Sequence, residues 1–359
     1  IPPLLTVNGL MTWHASSSFI GPGAIDALGG VMFAGGNALK TLDDVTLNNA
    51  GTFVSTKQFA LSNGSVVNNL PTGVFDIQVD GGVTGLSTSG LFNNSGTVVK
   101  SAGAGTSTFA THFTNSGNLH VETGTLAFSG DFGLTFVQTA GETVLAGGNL
   151  AATGNLAFNI QGGDLSGAGN IAGRVINGGG TVSPGSSFGT IQTTGNYSQG
   201  GNGTLDIEIE GLTPDTDHDV LAVGGTATLG GMLAVETVNF EPQIGQSFTI
   251  LTAATVSQTF STVNPQVWNV TYNTNSVVLT YVGPGCGTFA ATDLDADCDV
   301  DAADVSMLIA CTSGPAMPLT PGCEPADLDN DVDVDLTDFA LMQACISGPN
   351  TPPSDECLD

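Results

Sequence analysis

Two stretches of the chain share residues at matching offsets. In LFNNSGTVVKS, from Leu91, and HFTNSGNLHVE, from His112, the residues Phe92, Asn94, Ser95 and Gly96 recur 21 positions later as Phe113, Asn115, Ser116 and Gly117. A third relative, LNNAGTFVST from Leu47, stands 44 positions before Leu91, close to two such periods. Weaker echoes follow in TAGETVLAGGNL from Thr139 and TGNLAFNIQGGDL from Thr153. A unit this short cannot bury an apolar face by itself, so it must stack on its neighbours. Its alternating apolar residues and turn residues predict a parallel β-helix: each repeat makes one coil, Val, Leu, Phe and Ile point inward, and Gly and Asn supply positive φ angles at the corners. A β-sandwich of short hairpins is the competing arrangement, since it uses the same alternation without needing the period.

The repeats NNSGTVV and TNSGNLHVETGTL, followed by TVSPGSSFGTIQTTGNYSQGGNGTLDIEI and DVLAVGGTATLGGMLAV, resemble the passenger regions of autotransporter-like secreted β-helix proteins over roughly Thr41 to Val282. That resemblance implies architecture, because one fold hosts many activities. Longer apolar strands, LDIEIE, MLAVETV and SFTILTA, occupy Leu205 to Val282 and are expected to end the stack as terminal coils and a β cap, because an open last coil exposes an unpaired edge. Composition changes near Gly283: of the 51 glycines 46 precede Pro284, so YVGPGCG reads as a linker. The expected organisation is a β-solenoid over 1–204, terminal coils and β cap over 205–282, a linker over 283–292, and a small module over 293–359.

Charge separates the same parts. The chain has 33 Asp and Glu against 4 Lys and Arg, a formal net charge of −29, and 16 of those acids fall in the last 67 residues, which contain no Lys or Arg. Such a field repels phosphate backbones and anionic lipid and favours cations, so nucleic acid is not an expected partner. No run of 18 apolar residues marks a membrane span. The chain opens IPPLLTVNGL, which reads either as a mature protein whose secretory signal has been removed or as a fragment. All six cysteines, Cys286, Cys298, Cys311, Cys323, Cys345 and Cys357, lie in the tail as three successive pairs twelve positions apart. None has the C-x-x-C spacing of a zinc or redox motif, so a disulfide framework in an oxidising, extracellular or cell-surface setting is expected over free thiols. Six cysteines admit 15 connectivities. A 34-residue repeat in the tail, which maps Cys311 onto Cys345 and Cys323 onto Cys357, favours the pairs Cys311 with Cys323 and Cys345 with Cys357, leaving Cys286 with Cys298.

That repeat carries the densest chemistry, DLDADCDVDAAD from Asp293 and DLDNDVDVDLTD from Asp327. Positions 1, 3, 5, 9 and 12 are Asp293, Asp295, Asp297, Asp301 and Asp304 in one copy and Asp327, Asp329, Asp331, Asp335 and Asp338 in the other. Ca²⁺ takes about six to eight oxygens, and this spacing wraps a loop around one ion, with position 7 giving a backbone carbonyl. Asp299 and Asp333 hold position 7, and their side chains are expected in solvent. Val300 and Val334, at position 8, are expected to pair the two loops through a short β-bridge. A helix follows each loop: Val305, Leu308 and Ile309 share a face of the first, Phe339 and Met342 stand equivalently in the second, and Gly314 and Gly348, each before Pro, stop them.

Two such loop-helix units resemble the type I dockerin module, the calcium-dependent docking domain of cellulosome enzymes, over about Asp293 to Pro349. The resemblance implies two Ca²⁺ ions and a protein partner, cohesin-like or another cell-surface protein. Two positions depart from the pattern. Position 6, normally Gly, is Cys298 and Val332, and a side chain held at positive φ costs about 1–2 kcal/mol. Positions 10 and 11, which choose the cohesin, are Ala302 and Ala303, then Leu336 and Thr337.

Catalysis finds little purchase in the solenoid. The bases Lys40, Lys57, Lys100 and Arg174 are scattered, and His14, His112, His120 and His218 show no mutual spacing, each being expected at the surface or in a turn. Asp206, Glu208 and Glu210 share one face of a strand and could line a hydrolytic groove, but the plainer expectation is a solvated face over inward Leu205, Ile207 and Ile209. PDTDHD, Pro214 to Asp219, suits either a further cation or a turn. The function expected is a secreted or cell-surface structural or adhesive β-solenoid, self-associating or partnered, with the alternative of a polysaccharide-binding or polysaccharide-hydrolysing protein docked into an extracellular assembly.

Overall fold

A computed structural model of the 359-residue chain describes residues 4–14, 17–34, 39–85, 90–265, 267–283, 291–295, 299–348, 353 and 357. Strands make up 52% of it and helices 8%, so the chain is mainly β. It divides into two compact units: one takes Ile1–Phe240, Phe248–Asn264 and Tyr272–Val278, the other Glu241–Ser247, Pro265–Thr271 and Leu279–Asp359.

The first unit is a parallel β-solenoid. Phe59–Ser62, Val66–Asn69 and Val74–Ile77 form one turn, Gly82–Gly85, Leu91–Asn94 and Thr97–Lys100 the next, and Thr106–Phe109, His112–Asn115 and Asn118–Val121 the one after. Each strand pairs in parallel with its counterparts above and below, so three ladders run along the stack. Within a short strand the side chains alternate, two outward and two buried. The ladders continue past Leu205, which lies between Val182 and Leu233, and reach Thr262–Asn264.

The repeat seen in the sequence is a ladder register: Phe92 lies against Phe113 and Asn94 against Asn115. The relative at Leu47 is indeed two turns away, but Leu47 stands under Val67 and then Phe92, not under Leu91. The offset is therefore 45 residues, from Asn49 to Asn94, one more than the sequence alignment used. Buried Phe side chains fill the interior as a continuous column, with ring centroids 4.7 Å apart at Phe53 and Phe75, 5.0 Å at Phe75 and Phe92, 5.0 Å at Phe92 and Phe109, and 4.9 Å at Phe128 and Phe136. Each such edge-to-face or stacked pair adds about 0.5–1.5 kcal/mol beyond the area it buries.

The corner residues serve two different purposes. Gly96 and Gly117 are set by close approach and not by positive φ: a Cβ on Gly117 would stand 2.1 Å from the Gly96 carbonyl oxygen, and one on Gly96 would stand 2.2 Å from that of Gly73. The Asn of the repeat turns inward. Asn49 Nδ2 donates to Asn69 Oδ1 at 2.8 Å, Asn69 to Asn94 at 2.8 Å, Asn94 to Asn115 at 2.7 Å and Asn115 to Gln138 Oε1 at 3.4 Å, all of them buried. The same amides also donate to backbone carbonyls at the bend, as Asn94 does to Asn118 at 2.9 Å. The ladder thereby satisfies polar groups that the narrow interior would otherwise strand.

In the second unit, α1 (Ala302–Cys311) and α2 (Leu336–Cys345) pack through Val300, Leu308, Val334 and Met342. Val305 and Phe339 pack partly buried against this core, whereas Ile309 is exposed. Ile309 lies one position past Leu308, a helical step of about 100°, which turns it off the core face assigned to it. Gly314 and Gly348 end the segments after the helices with φ of 92° and 90°. Disulfides join Cys311 to Cys323 and Cys345 to Cys357, as the 34-residue repeat implied. Cys286 and Cys298 lie outside the described residues.

Candidate metal centre

The described parts of the two acidic loops are anchored alike, because the last Asp of each fastens the loop to its helix. Asp304 Oδ1 accepts from the Leu294 N–H at 2.7 Å and the Asp295 N–H at 3.3 Å, and Oδ2 from the Asp301 N–H at 2.8 Å. Asp338 does the same with Leu328, Asp329 and Asp335 at 2.7, 3.3 and 2.8 Å. Asp301 and Asp335 are the helix N-caps, each accepting from the amide two residues on at 2.7 Å and completing a capping box.

Around these anchors the carboxylates converge. Asp293, Asp295 and Asp304 each place an oxygen within 4.8 Å of the others, as do Asp327, Asp329 and Asp338. A second triad in each loop shares the anchor: Asp299 and Asp301 with Asp304, and Asp333 and Asp335 with Asp338. Hard carboxylate oxygens so gathered could hold a metal ion. Asp331 stays outside the triads, its Oδ1 accepting from the Asp333 N–H at 3.2 Å. Asp297 lies outside the described residues. Asp329, desolvated by the loop and crowded by Asp331 and Asp338, has its carboxyl pushed above the usual range, and in so exposed a side chain the crowding is the part that survives in solvent.

Two expectations are corrected here. The position-7 side chains do not stand in solvent: Asp299 is 2% exposed and Asp333 4%. Asp333 Oδ2 accepts a short hydrogen bond from the Ala316 N–H, while its Oδ1 is buried without a hydrogen-bond partner. Nor do Val300 and Val334 bridge the two loops to each other. Val334 takes the Ser313 and Gly314 N–H groups on its carbonyl at 3.0 and 3.1 Å, and Val300 takes those of Ser347 and Gly348 at 3.0 and 3.3 Å. Each loop thus pairs with the turn that ends the other loop's helix, a partner that apolarity at position 8 cannot reveal.

The departure at position 6 is real. Val332 adopts a φ of 73° and Asn330 one of 57°, so the loop turns through left-handed conformations without its customary glycine. The Asp331 and Val332 N–H groups point onto Asp327, each at 3.0 Å from one of its oxygens. Beside the second loop runs an apolar groove of about 470 Å³, lined by Leu308, Ile309, Pro315, Leu336 and Phe339. Leu336, at position 10, is 83% exposed.

Elsewhere the polar residues are mostly structural. Lys100 is buried at a corner, 3.4 Å from Asp80 and donating to the Ala102 carbonyl at 3.0 Å. Lys40 is also buried, 5.5 Å over the Phe33 ring, and desolvation followed by the charge of Lys57 lowers its pKa. His218 lies in the PDTDHD turn but not at the surface: it is 1% exposed and its Nδ1 is 3.1 Å from the Gly211 carbonyl oxygen. His112 and His120 instead reach Thr135 and Glu142 at 3.1 and 2.8 Å. PDTDHD folds as a turn, with Asp217 Oδ2 accepting from the Thr213 N–H at 3.1 Å and the Asp215 N–H donating to the His218 carbonyl at 2.9 Å. Asp219 is buried against it, accepting from Gly189 and Glu208 N–H groups at 3.0 and 2.9 Å; burial, with the charges of Glu208 and Asp206, pushes its carboxyl up to about 7 against those bonds.

Leu205, Ile207 and Ile209 point inward and are fully buried, while Asp206 and Glu208 are half-buried and Glu210 exposed, as expected of a strand with one solvated face. Asp206 and Glu208 have carboxyls raised by partial burial and then by each other and Glu236. The outer side of another ladder is a second amide array: Asn48 donates to Asp26 at 2.8 Å, Asn68 to Asn48 at 2.8 Å and Asn93 to Asn68 at 2.9 Å. Trp13, Tyr197 and Trp268 are buried.

Together these features define a β-solenoid followed by a small, disulfide-bonded, two-helix part whose acidic loops could hold metal. Neither a known family model nor a curated protein matches the sequence.

Proposed function

We propose that the protein is an extracellular structural or adhesive β-solenoid carrying a dockerin-like module that is stabilised by two Ca²⁺ ions, one in each acidic loop. One observation carries the calcium assignment. Asp293, Asp299, Asp304, Asp333 and Asp338 are each at most 7% exposed, in a segment without a single Lys, Arg or His. Hydrogen bonds from backbone N–H groups offset part of the cost of burying these carboxylates, and with no basic side chain in the segment a bound cation is the compensating charge that fits. The donor set is all oxygen, as a hard divalent ion requires, and the buried Oδ1 of Asp333 has a lone pair to give. Disulfides and the absence, among the described residues, of any helix long and apolar enough to cross a membrane accord with an extracellular place. The groove beside Leu336 supports a protein partner of cohesin-like kind, since position 10 lines it. The self-paired amide array and the buried tryptophans favour the structural or adhesive role over polysaccharide recognition, which uses exposed aromatic platforms.

Native mass spectrometry of the full chain with Ca²⁺, alongside hydrogen exchange of residues 299–348 with and without chelator, tests this. Two bound ions and protection that vanishes on chelation are expected. An unchanged mass with identical exchange would overturn the assignment.

A further inference from the structure

The two loops are joined to each other's helices by matching sets of hydrogen bonds. In one half, the Val334 carbonyl accepts from Ser313 and Gly314 N–H groups at 3.0 and 3.1 Å, and the Val334 N–H donates to Ser313 Oγ at 3.0 Å. In the other, the Val300 carbonyl accepts from Ser347 and Gly348 at 3.0 and 3.3 Å, and the Val300 N–H donates to Ser347 Oγ at 3.0 Å. Ser313 and Gly314 follow α1, whose N-cap and first turn are set by the first loop through Asp301 and Asp304. Ser347 and Gly348 follow α2, which is set in the same way by Asp335 and Asp338 in the second loop. Asp333 adds a further tie, its carboxylate accepting from the Ala316 N–H just past Gly314. The valines between these bonds are fully buried in the core they share with Leu308 and Met342.

Each loop therefore has its position 8, and the second loop its position 7 as well, fixed by a turn whose own placement depends on the other loop. Position 7 is where a loop of this spacing presents its backbone carbonyl to an ion. We propose that Ser313, Ser347 and Asp333 are positioning residues that couple the two loops, so that a cation bound in one raises the affinity of the other. The physical reason is that an ion which orders one loop also orders the helix exit on which the second loop leans, and the second ion then has less ordering to do. The proposal rests on the calcium assignment made above and adds to it a coupling that independent loops would lack.

The test uses the full chain, Ca²⁺ titration by isothermal calorimetry and ion counting by native mass spectrometry. Asp295→Ala removes a first-loop carboxylate; the expected result is one remaining ion whose affinity in the intact second loop has fallen, by about fivefold or more for a coupling of ordinary size. Ser313→Ala touches no carboxylate, yet both ions should bind more weakly and the titration should lose its cooperativity, while Ser313→Thr, which keeps the hydroxyl, restores them. The melting transition of each variant in saturating Ca²⁺ shows whether the module still folds. One remaining ion held in the second loop of Asp295→Ala with unchanged affinity would overturn the coupling and leave the calcium assignment standing. No ion bound to the unaltered chain would overturn both.

Discussion

Replacing Asn94 by Ala isolates what the inner amide ladder contributes. Asn94 is 1% exposed and makes three bonds: its Oδ1 accepts from Asn69 at 2.8 Å, and its Nδ2 donates to Asn115 Oδ1 at 2.7 Å and to the Asn118 carbonyl at 2.9 Å. The Asn69 amide survives the loss, because it also donates to Gly73 and Thr97 carbonyls at 3.1 and 3.0 Å. Asn115 Oδ1 does not, since it is left facing an apolar gap. A stranded buried acceptor costs about 1–3 kcal/mol and each lost bond about 1 kcal/mol, so Asn94→Ala should cost roughly 3–5 kcal/mol. Asn93, its neighbour on the outer face, makes one partly exposed bond to Asn68 at 2.9 Å that water can replace, and Asn93→Ala should cost about 0.5 kcal/mol. Because solenoid turns contact only their neighbours, the damage should stay local. Hydrogen exchange under increasing urea, followed at Val66–Asn69, Leu91–Asn94 and His112–Asn115, reads it directly. Equal losses for Asn94→Ala and Asn93→Ala would refute the claim that burial of the ladder, and not its hydrogen bonds alone, is what matters.

Val332 is 64% exposed at a φ of 73°, so Val332→Gly relieves about 1–2 kcal/mol of strain against a smaller entropy cost; urea denaturation should show a more stable module and calorimetry a tighter Ca²⁺ isotherm, and weaker binding would refute the strain argument. Asp219 and His218 give opposite pH responses. The Asp219 carboxyl, raised to about 7 mainly by burial, contributes stability that is fully present below its unfolded value near 4 and is lost as pH rises through 7, whereas His218, lowered by burial, contributes stability present above about 6.5 and lost as pH falls. His218→Phe removes the second response, so the decline in solenoid stability between about pH 4 and 7 should steepen in urea melts, and superimposable profiles would refute the assignment.

The solenoid was legible because its interior repeats: a turn that stacks Phe on Phe and Asn on Asn must recur in sequence wherever the corner lengths agree. Where they differ the period blurs, since the ladder Asn residues are separated by 20, 25 and 21 positions while the strands between corners keep their length. The acidic loops were legible at positions 1, 3, 9 and 12, whose carboxylates gather through local contacts. What stayed hidden depends on distant chain. Asp333 is buried by Ala316, seventeen residues away, and Val300 by Ser347, forty-seven away, so no spacing within the loop could show that position 7 is covered or that SGP does more than stop a helix. His218 and Lys100 are single residues at corners, and a lone basic side chain carries no periodic sign of burial.

The two parts of the chain answer different physical problems, and this explains the uneven charge. A solenoid turn borrows its core from the turns on either side, so Phe, Val and Asn suffice and ionised groups can be few. The helical part is not built of stacked turns: its buried core among the described residues is Val300, Leu308, Ala326, Val334 and Met342, a small apolar surface for a segment of this size. Small domains of this kind are stapled, and the two twelve-residue disulfides at Cys311 and Cys345 supply one kind of staple. The carboxylates bring mutual repulsion instead of cohesion until a divalent ion joins them, at which point binding free energy becomes folding free energy, about 2.7 kcal/mol at a hundredfold excess over Kd for each ion. Acid crowded into loops that already have their helix caps in place is therefore costly in the absence of cation and stabilising in its presence, as the proposed calcium assignment requires.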